Sequence, residues 1–259
     1  MEINQAFTIL QRAGGIRAAR IITGKYKKLS KIRTMIIAHK LRCGMPVAKI
    51  IHEKWFYGLK FYTNRHTLDP RPDTETLVSA VISDKMDDTP VKILDLGTGT
   101  GCIICALVKN IKNAHGTAID KSHAALRVAR RNIKTLGLAD KIRTKHASFE
   151  HAPSISDKYD IIVSNPPYIA KNDPNINNGA LHDPKMALYA KNNGLAAYES
   201  IAKNAHNWLK NDGKLYLEIG INQGPDIKNI FIHNCWDLLR SENDLSGIER
   251  VLVFIRAHK

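Results

Sequence analysis

The chain has 259 residues, of which 44% are hydrophobic and 24% charged, and its formal net charge at pH 7 is +15. This balance is typical of a globular protein and excludes a disordered, collagen-like or coiled-coil chain. The longest apolar run, residues 102–108, has seven residues, whereas a membrane span needs roughly 20. Four scattered cysteines are too few for a secreted disulfide scaffold, so we expect a cytoplasmic protein without a membrane partner.

The positive charge is concentrated at the beginning of the sequence, where residues 1–52 contain eleven Lys or Arg and one acidic residue. Apolar residues recur there at helical spacing and are interrupted at Gly14-Gly15, Gly24 and Gly44, which predicts three or four short helices. A basic amphipathic start also fits an organelle transit peptide, but such peptides are Ser-rich and lack repeated helices bounded by glycine.

An aromatic run interrupted by Gly58 follows at 55–63 and suits a short β-hairpin. Beyond it, apolar strand patterns alternate with amphipathic helices, which is typical of a mostly parallel sheet between layers of helices. We therefore predict an α/β protein with a helical domain at 1–54, a hairpin linker at 55–71 and a sheet domain at 72–259. The predicted strands are 91–96, 116–119, 141–146, 159–164, 214–219 and 250–255, and the predicted helices between them are 102–111, 122–136, 195–209 and 226–233.

A glycine-rich loop follows the first predicted strand of the sheet domain and leads into a helix. Glycines at alternate positions let the backbone turn tightly and a ligand lie against its amides, and the helix start offers free N–H groups. Asp120, at the end of the next strand, can accept hydrogen bonds from both hydroxyls of a ribose. The third glycine comes one residue earlier than in the dinucleotide fingerprint, which favours S-adenosylmethionine as the ligand. The candidate cofactor residues of the loop are Gly97, Thr98, Gly99, Thr100 and Gly101.

The fourth predicted strand ends in the motif Asn165-Pro166-Pro167-Tyr168, at the same edge of the sheet if the strands are parallel. The nitrogen of an amide or aromatic amino group is a poor nucleophile because its lone pair is delocalised. The Asn165 side-chain oxygen and the Pro166 carbonyl can each accept one N–H of such a group, which aims the nitrogen and favours the positive charge of the transition state. Tyr168 can stack on the planar target. The motif therefore predicts methylation of a planar NH2 group.

Together these features resemble the bacterial release factor N5-glutamine methyltransferases, which methylate the glutamine in the Gly-Gly-Gln loop of peptide chain release factors. The resemblance extends over nearly the whole chain. Besides the two motifs it rests on Arg71-Pro72-Asp73-Thr74-Glu75 and on Leu217-Glu218-Ile219-Gly220. It implies an S-adenosylmethionine-dependent methyltransferase with a Rossmann-like sheet domain, and an N-terminal domain that binds the release factor.

The resemblance also implies a role for individual residues. The loop from Gly97 to Gly101 would hold the methionine part of the cofactor, Asp120 its ribose, and Phe149 would lie near its adenine. Asn165 would touch cofactor and target, and the segment from Arg71 to Glu75 would border the cofactor. The residues implied to hold the glutamine side chain are Asn165, Pro166, Pro167 and Tyr168.

The sequence departs from the family pattern away from the residues assigned to the chemistry. Ser148 stands where the family usually has an acidic residue, and Asp69 stands in place of the isoleucine of Leu-Ile-Pro. Around the predicted surface loop 171–183, Asp183-Pro184 replaces Glu-Pro, and residues 190–194 replace Gly-Gly-x-Asp-Gly. These differences concern the cofactor pocket and the loop beside it.

Two other functions remain open from the residues alone. Asn-Pro-Pro-Tyr also occurs in methyltransferases of adenine and guanine amino groups, so RNA or DNA is an alternative substrate. A basic binding module with a vestigial cofactor site is the second alternative. Cys102 and Cys105 have the spacing of a redox or zinc motif, but the apolar residues around them favour buried packing, and we predict no metal. We expect a monomer.

Overall fold

The structure is a computed structural model that describes residues 1–85, 88–150, 157–171 and 178–257. Its first part is helical: α1 (Ile3–Lys25), α2 (Lys31–Arg42) and α3 (Val47–Ile51) pack around a hydrophobic cluster of their own. The predicted interruption at Gly14-Gly15 is confirmed, because Gly15 has φ 83° and kinks α1. The interruption predicted at Gly24 is confirmed to within one residue, because α1 ends at Lys25 and α2 begins only at Lys31.

The predicted hairpin is confirmed as β1 (Glu53–Phe56) and β2 (Leu59–Tyr62), which pair antiparallel. Both residues of its two-residue turn have positive φ, 48° at Tyr57 and 71° at Gly58. This combination matches the right-handed twist of the two strands, and glycine adopts it without strain.

The predicted α/β sheet is confirmed, and its strands lie in the order β5-β4-β3-β6-β7-β9-β8 in the described part of the chain. The pairings from β5 to β7 are parallel, and β9 is antiparallel to both of its neighbours. The strands are β3 (Val91–Leu96), β4 (Ala114–Asp120), β5 (Ile142–His146), β6 (Tyr159–Ser164), β7 (Leu209–Glu218), β8 (Trp236–Asn243) and β9 (Glu249–Arg256). The helices are α4 (Thr74–Asp84), α5 (Cys102–Asn110), α6 (His123–Thr135), α7 (Lys185–Leu188), α8 (Ala196–Asn204) and α9 (Gly224–His233).

Two elements differ from the sequence prediction. The helix predicted at 195–209 is too long, because α8 ends at Asn204 and β7 begins at Leu209, which pairs with Tyr159 of β6. Strand β8 was not predicted. It is an edge strand with alternating burial in which only Trp236 is fully buried, so its sequence lacks the apolar run that marks a central strand.

Successive residues of each central strand point to opposite sides of the sheet. Both faces of the sheet are apolar, and helices cover both of them. In β3, Ile93 belongs to the hydrophobic cluster formed with α4 and α5, and Leu94 to the cluster formed with α8 and α9. Of the predicted loop 171–183, residues 172–177 lie outside the described residues. Among the helices that the structure describes, none is long and apolar enough to cross a bilayer.

Candidate functional site

The register of three neighbouring strands brings the predicted site residues to one edge of the sheet. Leu96, the last residue of β3, pairs with Ile119 of β4 on one side and with Ser164 of β6 on the other. Ser164 also donates its hydroxyl to the Leu96 carbonyl at 2.8 Å. Ligands of such sheets bind at the carboxyl ends of the strands. The candidate residues at these three ends are Gly97, Asp120 and Asn165.

The glycine loop has a backbone that only glycine adopts easily at three positions. Gly97, Gly99 and Gly101 have φ of 76°, 55° and 79°, in the left-handed region that is strained for residues with a Cβ. The N–H groups of Gly97 and Thr98 both donate to the Ile119 carbonyl at 2.9 Å, which fastens the loop to β4. Gly101 lies at the N-terminus of α5.

Two carboxylates support this loop. Asp120 accepts hydrogen bonds from the N–H groups of Gly99 at 2.9 Å and Ser122 at 2.8 Å, and burial raises its pKa. Asp95, at the end of β3, accepts the Thr98 hydroxyl at 2.6 Å. Burial raises the pKa of Asp95 to about 7, and its other oxygen has no hydrogen-bond partner among the residues that the structure describes. Asp95 therefore orients the loop from behind, while Asp120 lies at the surface of the site.

An open cavity, with about 890 Å³ of empty space when its solvent-open part is included, lies over this strand edge. Arg71 and Thr74 line it from the Arg-Pro-Asp-Thr-Glu segment, and Ser148 lines it beside Phe149. Gly101 lies instead at the start of α5. The predicted cofactor residues that line the cavity are Gly97, Thr98, Gly99, Thr100, Asp120, Phe149 and Asn165.

The Asn-Pro-Pro-Tyr segment leaves β6 along the wall of the cavity, which Asn165 and Pro167 line. Pro166 is buried, and Tyr168 is half-buried against the cluster formed with α8 and α9. Burial raises the pKa of the Tyr168 hydroxyl. The Tyr168 carbonyl accepts a hydrogen bond from the Gln223 side chain at 3.0 Å. The chemical roles of these four motif residues stay predictions.

Asn132 of α6 is a residue that the sequence analysis missed. Its side chain is almost fully buried and satisfies three backbone groups. Its oxygen accepts the Tyr62 N–H at 2.8 Å, and its nitrogen donates to the carbonyls of Tyr62 and Thr100 at 2.9 Å each. Asn132 thus joins the hairpin to the glycine loop. A polar residue on the buried face of an amphipathic helix is the only signal in the sequence that could have identified it.

A buried ion network joins α3 to the other wall of the cavity. The Lys49 ammonium lies 2.9 Å from Asp69 Oδ1 and 2.8 Å from Asp183 Oδ1, and Arg71 lies 2.7 Å from Asp183 Oδ2. The exposed fractions of the Lys49, Asp69 and Asp183 side chains are 4%, 5% and 0%. Asp69 and Asp183 are two of the positions at which the sequence departs from the family pattern, so the two departures meet at one lysine.

The two cysteines of the Cys-x-x-Cys pattern are buried. Burial raises the pKa of the Cys102 thiol to about 12 and that of Cys105 well above its usual value. Both thiols therefore stay protonated at neutral pH, which agrees with packing rather than with nucleophilic chemistry.

A Rossmann-like sheet with a glycine loop, a carboxylate at the next strand end and Asn-Pro-Pro-Tyr beyond it defines the class of S-adenosylmethionine-dependent methyltransferases. In agreement, the methyltransferase small domain family matches residues 72–231. The predictions of fold class and of a methyl-transferring enzyme are confirmed.

Comparisons with individual proteins narrow this class. The chain is 40% identical over 222 residues to the release factor glutamine methyltransferase of Agrobacterium fabrum. This match covers 82% of this chain and 75% of that protein. It is 38% identical over 239 residues to the bifunctional methyltransferase of Rickettsia felis, but spans only 45% of that protein and 81% of its own length. The chain also matches the solved structure of ribosomal protein L11 methylase from Lactobacillus delbrueckii subsp. bulgaricus with a TM-score of 0.56. That match covers 74% of this chain and 82% of that chain at 20% identity, so it shows a likeness of fold alone. The chain belongs to the release factor glutamine methyltransferase family.

Proposed function

We propose that this protein transfers a methyl group from S-adenosylmethionine to the side-chain amide nitrogen of the glutamine in the Gly-Gly-Gln loop of peptide chain release factors. The observation that carries the proposal is that Asn165 lines the same cavity as the glycine loop and Asp120. Family membership supports the choice of substrate.

The residues around the cavity fit the cofactor. Each carboxylate oxygen of Asp120 accepts one hydrogen bond from a backbone N–H, so each oxygen can accept a second one from a ribose hydroxyl. The loop from Gly97 to Thr100 exposes backbone to the cavity, and Phe149 offers an aromatic surface for the adenine. We propose that these residues hold the cofactor. S-adenosylmethionine supplies, when bound, an electrophilic methyl group on a positively charged sulfur.

The target nitrogen is positioned by two acceptors in the proposed mechanism. Asn165 Nδ2 donates to the Thr74 hydroxyl at 3.1 Å, which leaves Asn165 Oδ1 to accept one N–H of the glutamine amide. The Pro166 carbonyl accepts the other N–H, and Pro167 and Tyr168 pack against the planar group. Positioning of this kind contributes about 7–11 kcal/mol to barrier reduction, so a weak base or water suffices to take the proton.

The helical domain at 1–54 is proposed to bind the release factor. It is basic and has several exposed apolar side chains, among them Ile32 at 75% exposure. A group of exposed apolar side chains is typical of a surface that binds another protein. Because the proposed substrate works in translation, we place the activity in the cytoplasm. We also propose that the protein acts as a monomer.

The proposal is tested with purified protein and methyl-labelled S-adenosylmethionine in three parallel reactions. One contains a full-length release factor, one the same factor with Gly-Gly-Glu in the loop, and one total nucleic acid. We expect label only in the unaltered release factor, with a mass gain of one methyl group on the Gly-Gly-Gln peptide. Equal label in the Gly-Gly-Glu factor would refute methylation of the amide, and label only in nucleic acid would favour base methylation instead.

A further inference from the structure

Glu218 is a buried carboxylate directly behind the Asn-Pro-Pro-Tyr segment. It ends β7 within the apolar run from Leu217 to Ile219, and 2% of its surface is exposed. It does not line the cavity, and one of its oxygens, Oε2, has no hydrogen-bond partner within the described part of the chain. Burying a charged carboxylate costs free energy of folding, and the proposed methyl transfer gives Glu218 no role that offsets this cost.

The contacts of Glu218 lead to Asn165. The β6–β7 register pairs Ser164 with Leu217, so Asn165 and Glu218 follow at neighbouring strand ends. The side chains of Thr74 and Asn165 lie close enough to the carboxylate to favour its charged form, and each has a hydrogen that it can donate. The Thr74 hydroxyl has a single hydrogen. When that hydrogen is directed to Glu218, the Thr74 oxygen can only accept, and Asn165 Nδ2 lies 3.1 Å from it.

This arrangement discriminates between the two orientations of the Asn165 amide. If the amide were rotated by half a turn, its oxygen would face an ionised carboxylate and a hydroxyl without a free hydrogen. A threonine alone would not discriminate, since a hydroxyl can donate or accept. The ionised carboxylate makes the difference because it only accepts.

We propose that Glu218 is a positioning residue which, directly and through Thr74, fixes the Asn165 amide with its oxygen toward the cavity. The inference rests on the proposed function, in which that oxygen receives an N–H of the target. Glu218 does not touch the substrate.

The charged state of Glu218 should therefore govern the orientation of Asn165. Burial raises the pKa of Glu218 to about 7, and a protonated carboxyl can donate to Thr74 and release the hydroxyl hydrogen toward Asn165. Because the ionised form is the orienting form, we expect turnover to fall as the pH decreases below about 7. The ionisable groups that interact with Glu218 from the surrounding elements are Asp73, Cys102, Tyr168, Tyr198 and Arg250.

The functional test compares five variants. Glu218→Gln and Thr74→Val should each lower turnover roughly tenfold to a hundredfold, as expected when a hydrogen bond to a charged group is lost. Combining the two should cost little more than either alone, because both break the same relay. Thr74→Ser should keep more activity than Thr74→Val, and Thr76→Val, a half-buried position of the same helix, should leave turnover unchanged. Additive losses of the first two variants would overturn the relay.

The structural test is independent of any substrate. In a protein labelled with ¹⁵N, the side-chain NH2 signal of Asn165 should shift with pH in the wild type between about pH 5.5 and 8.5, with a midpoint near the Glu218 pKa. In Glu218→Gln it should not shift, and cofactor affinity measured by calorimetry should stay within a few-fold of the wild type.

A wild-type Asn165 signal that is insensitive to pH would overturn the inference, even if no variant could be purified. If the signal titrates as expected but no release factor is methylated, the proposed function fails and the positioning of Asn165 by Glu218 stands. The two failures are therefore distinguishable.

Discussion

Replacing Lys49 with methionine tests whether the buried ion network fastens the cavity wall to α3. The substitution keeps much of the side-chain volume but removes the ammonium that lies 2.9 Å from Asp69 and 2.8 Å from Asp183. It also removes the hydrogen bonds to the carbonyls of Asn64 and Thr67. Asp69 then loses the cation that contacts it, and Asp183 keeps only Arg71 among the described residues.

The expected loss of stability follows from the burial of the pair. Removing one partner of a buried ion pair costs about 3–5 kcal/mol, because the remaining charge is left uncompensated in a poorly solvated site. For a chain of this size the melting temperature should fall by about 6–20 °C. Thermal unfolding followed by circular dichroism at pH 7 measures this shift. Because Asp69 and Arg71 line the cavity, cofactor affinity should fall as well.

Two control variants make the test specific. Lys112→Met removes an ion pair with Asp88 in which both side chains are more than two-thirds exposed, so its effect should stay below about 1 kcal/mol. Adding Asp69→Ile to Lys49→Met leaves Asp183 paired with Arg71 alone and should recover a large part of the lost stability. A Lys49→Met variant as stable as Lys112→Met, or a double variant without recovery, would refute the reasoning.

Three further substitutions probe the site itself. Asn165→Ala should leave cofactor affinity within a few-fold but lower turnover by orders of magnitude, because it removes orientation in the transition state. Calorimetry measures the affinity and single-turnover methylation of a release factor measures the turnover. Unchanged turnover would contradict the proposed role. Asn132→Ala leaves the N–H and carbonyl of Tyr62 and the carbonyl of Thr100 without their buried partner, and should cost at least about 2 kcal/mol in urea unfolding. Asp120→Asn should weaken cofactor binding about tenfold to a hundredfold through the loss of a charged acceptor, and an unaltered dissociation constant would argue against contact with the ribose.

The features predicted from the sequence are those that local patterns determine. A central strand is marked by an apolar run, as in β3 and β6, and parallel strands bring their carboxyl ends to one edge of the sheet. For this reason Gly97, Asp120 and Asn165 could be expected at one site before the register was known. The edge strand β8 is half polar and carries no comparable signal.

The supporting contacts could not be predicted because they join residues that are far apart in sequence. Asn132 bonds a strand 70 positions earlier, and Lys49 pairs with Asp183 across most of the chain. Compared separately with the family pattern, Asp69 and Asp183 are unrelated departures. Only the structure shows that Lys49 contacts both.

The two motifs of the site are supported in the same way from inside the sheet. Asp95 at the end of β3 accepts a threonine hydroxyl of the glycine loop, and Glu218 at the end of β7 lies beside Thr74 and Asn165, which favour its charged form. Burial raises the pKa of each carboxyl to about 7, so keeping either one ionised at neutral pH costs free energy of folding. An apolar residue would avoid that cost but could orient neither the loop nor the amide. The cost is explained if the site needs groups that accept hydrogen bonds without being able to donate them.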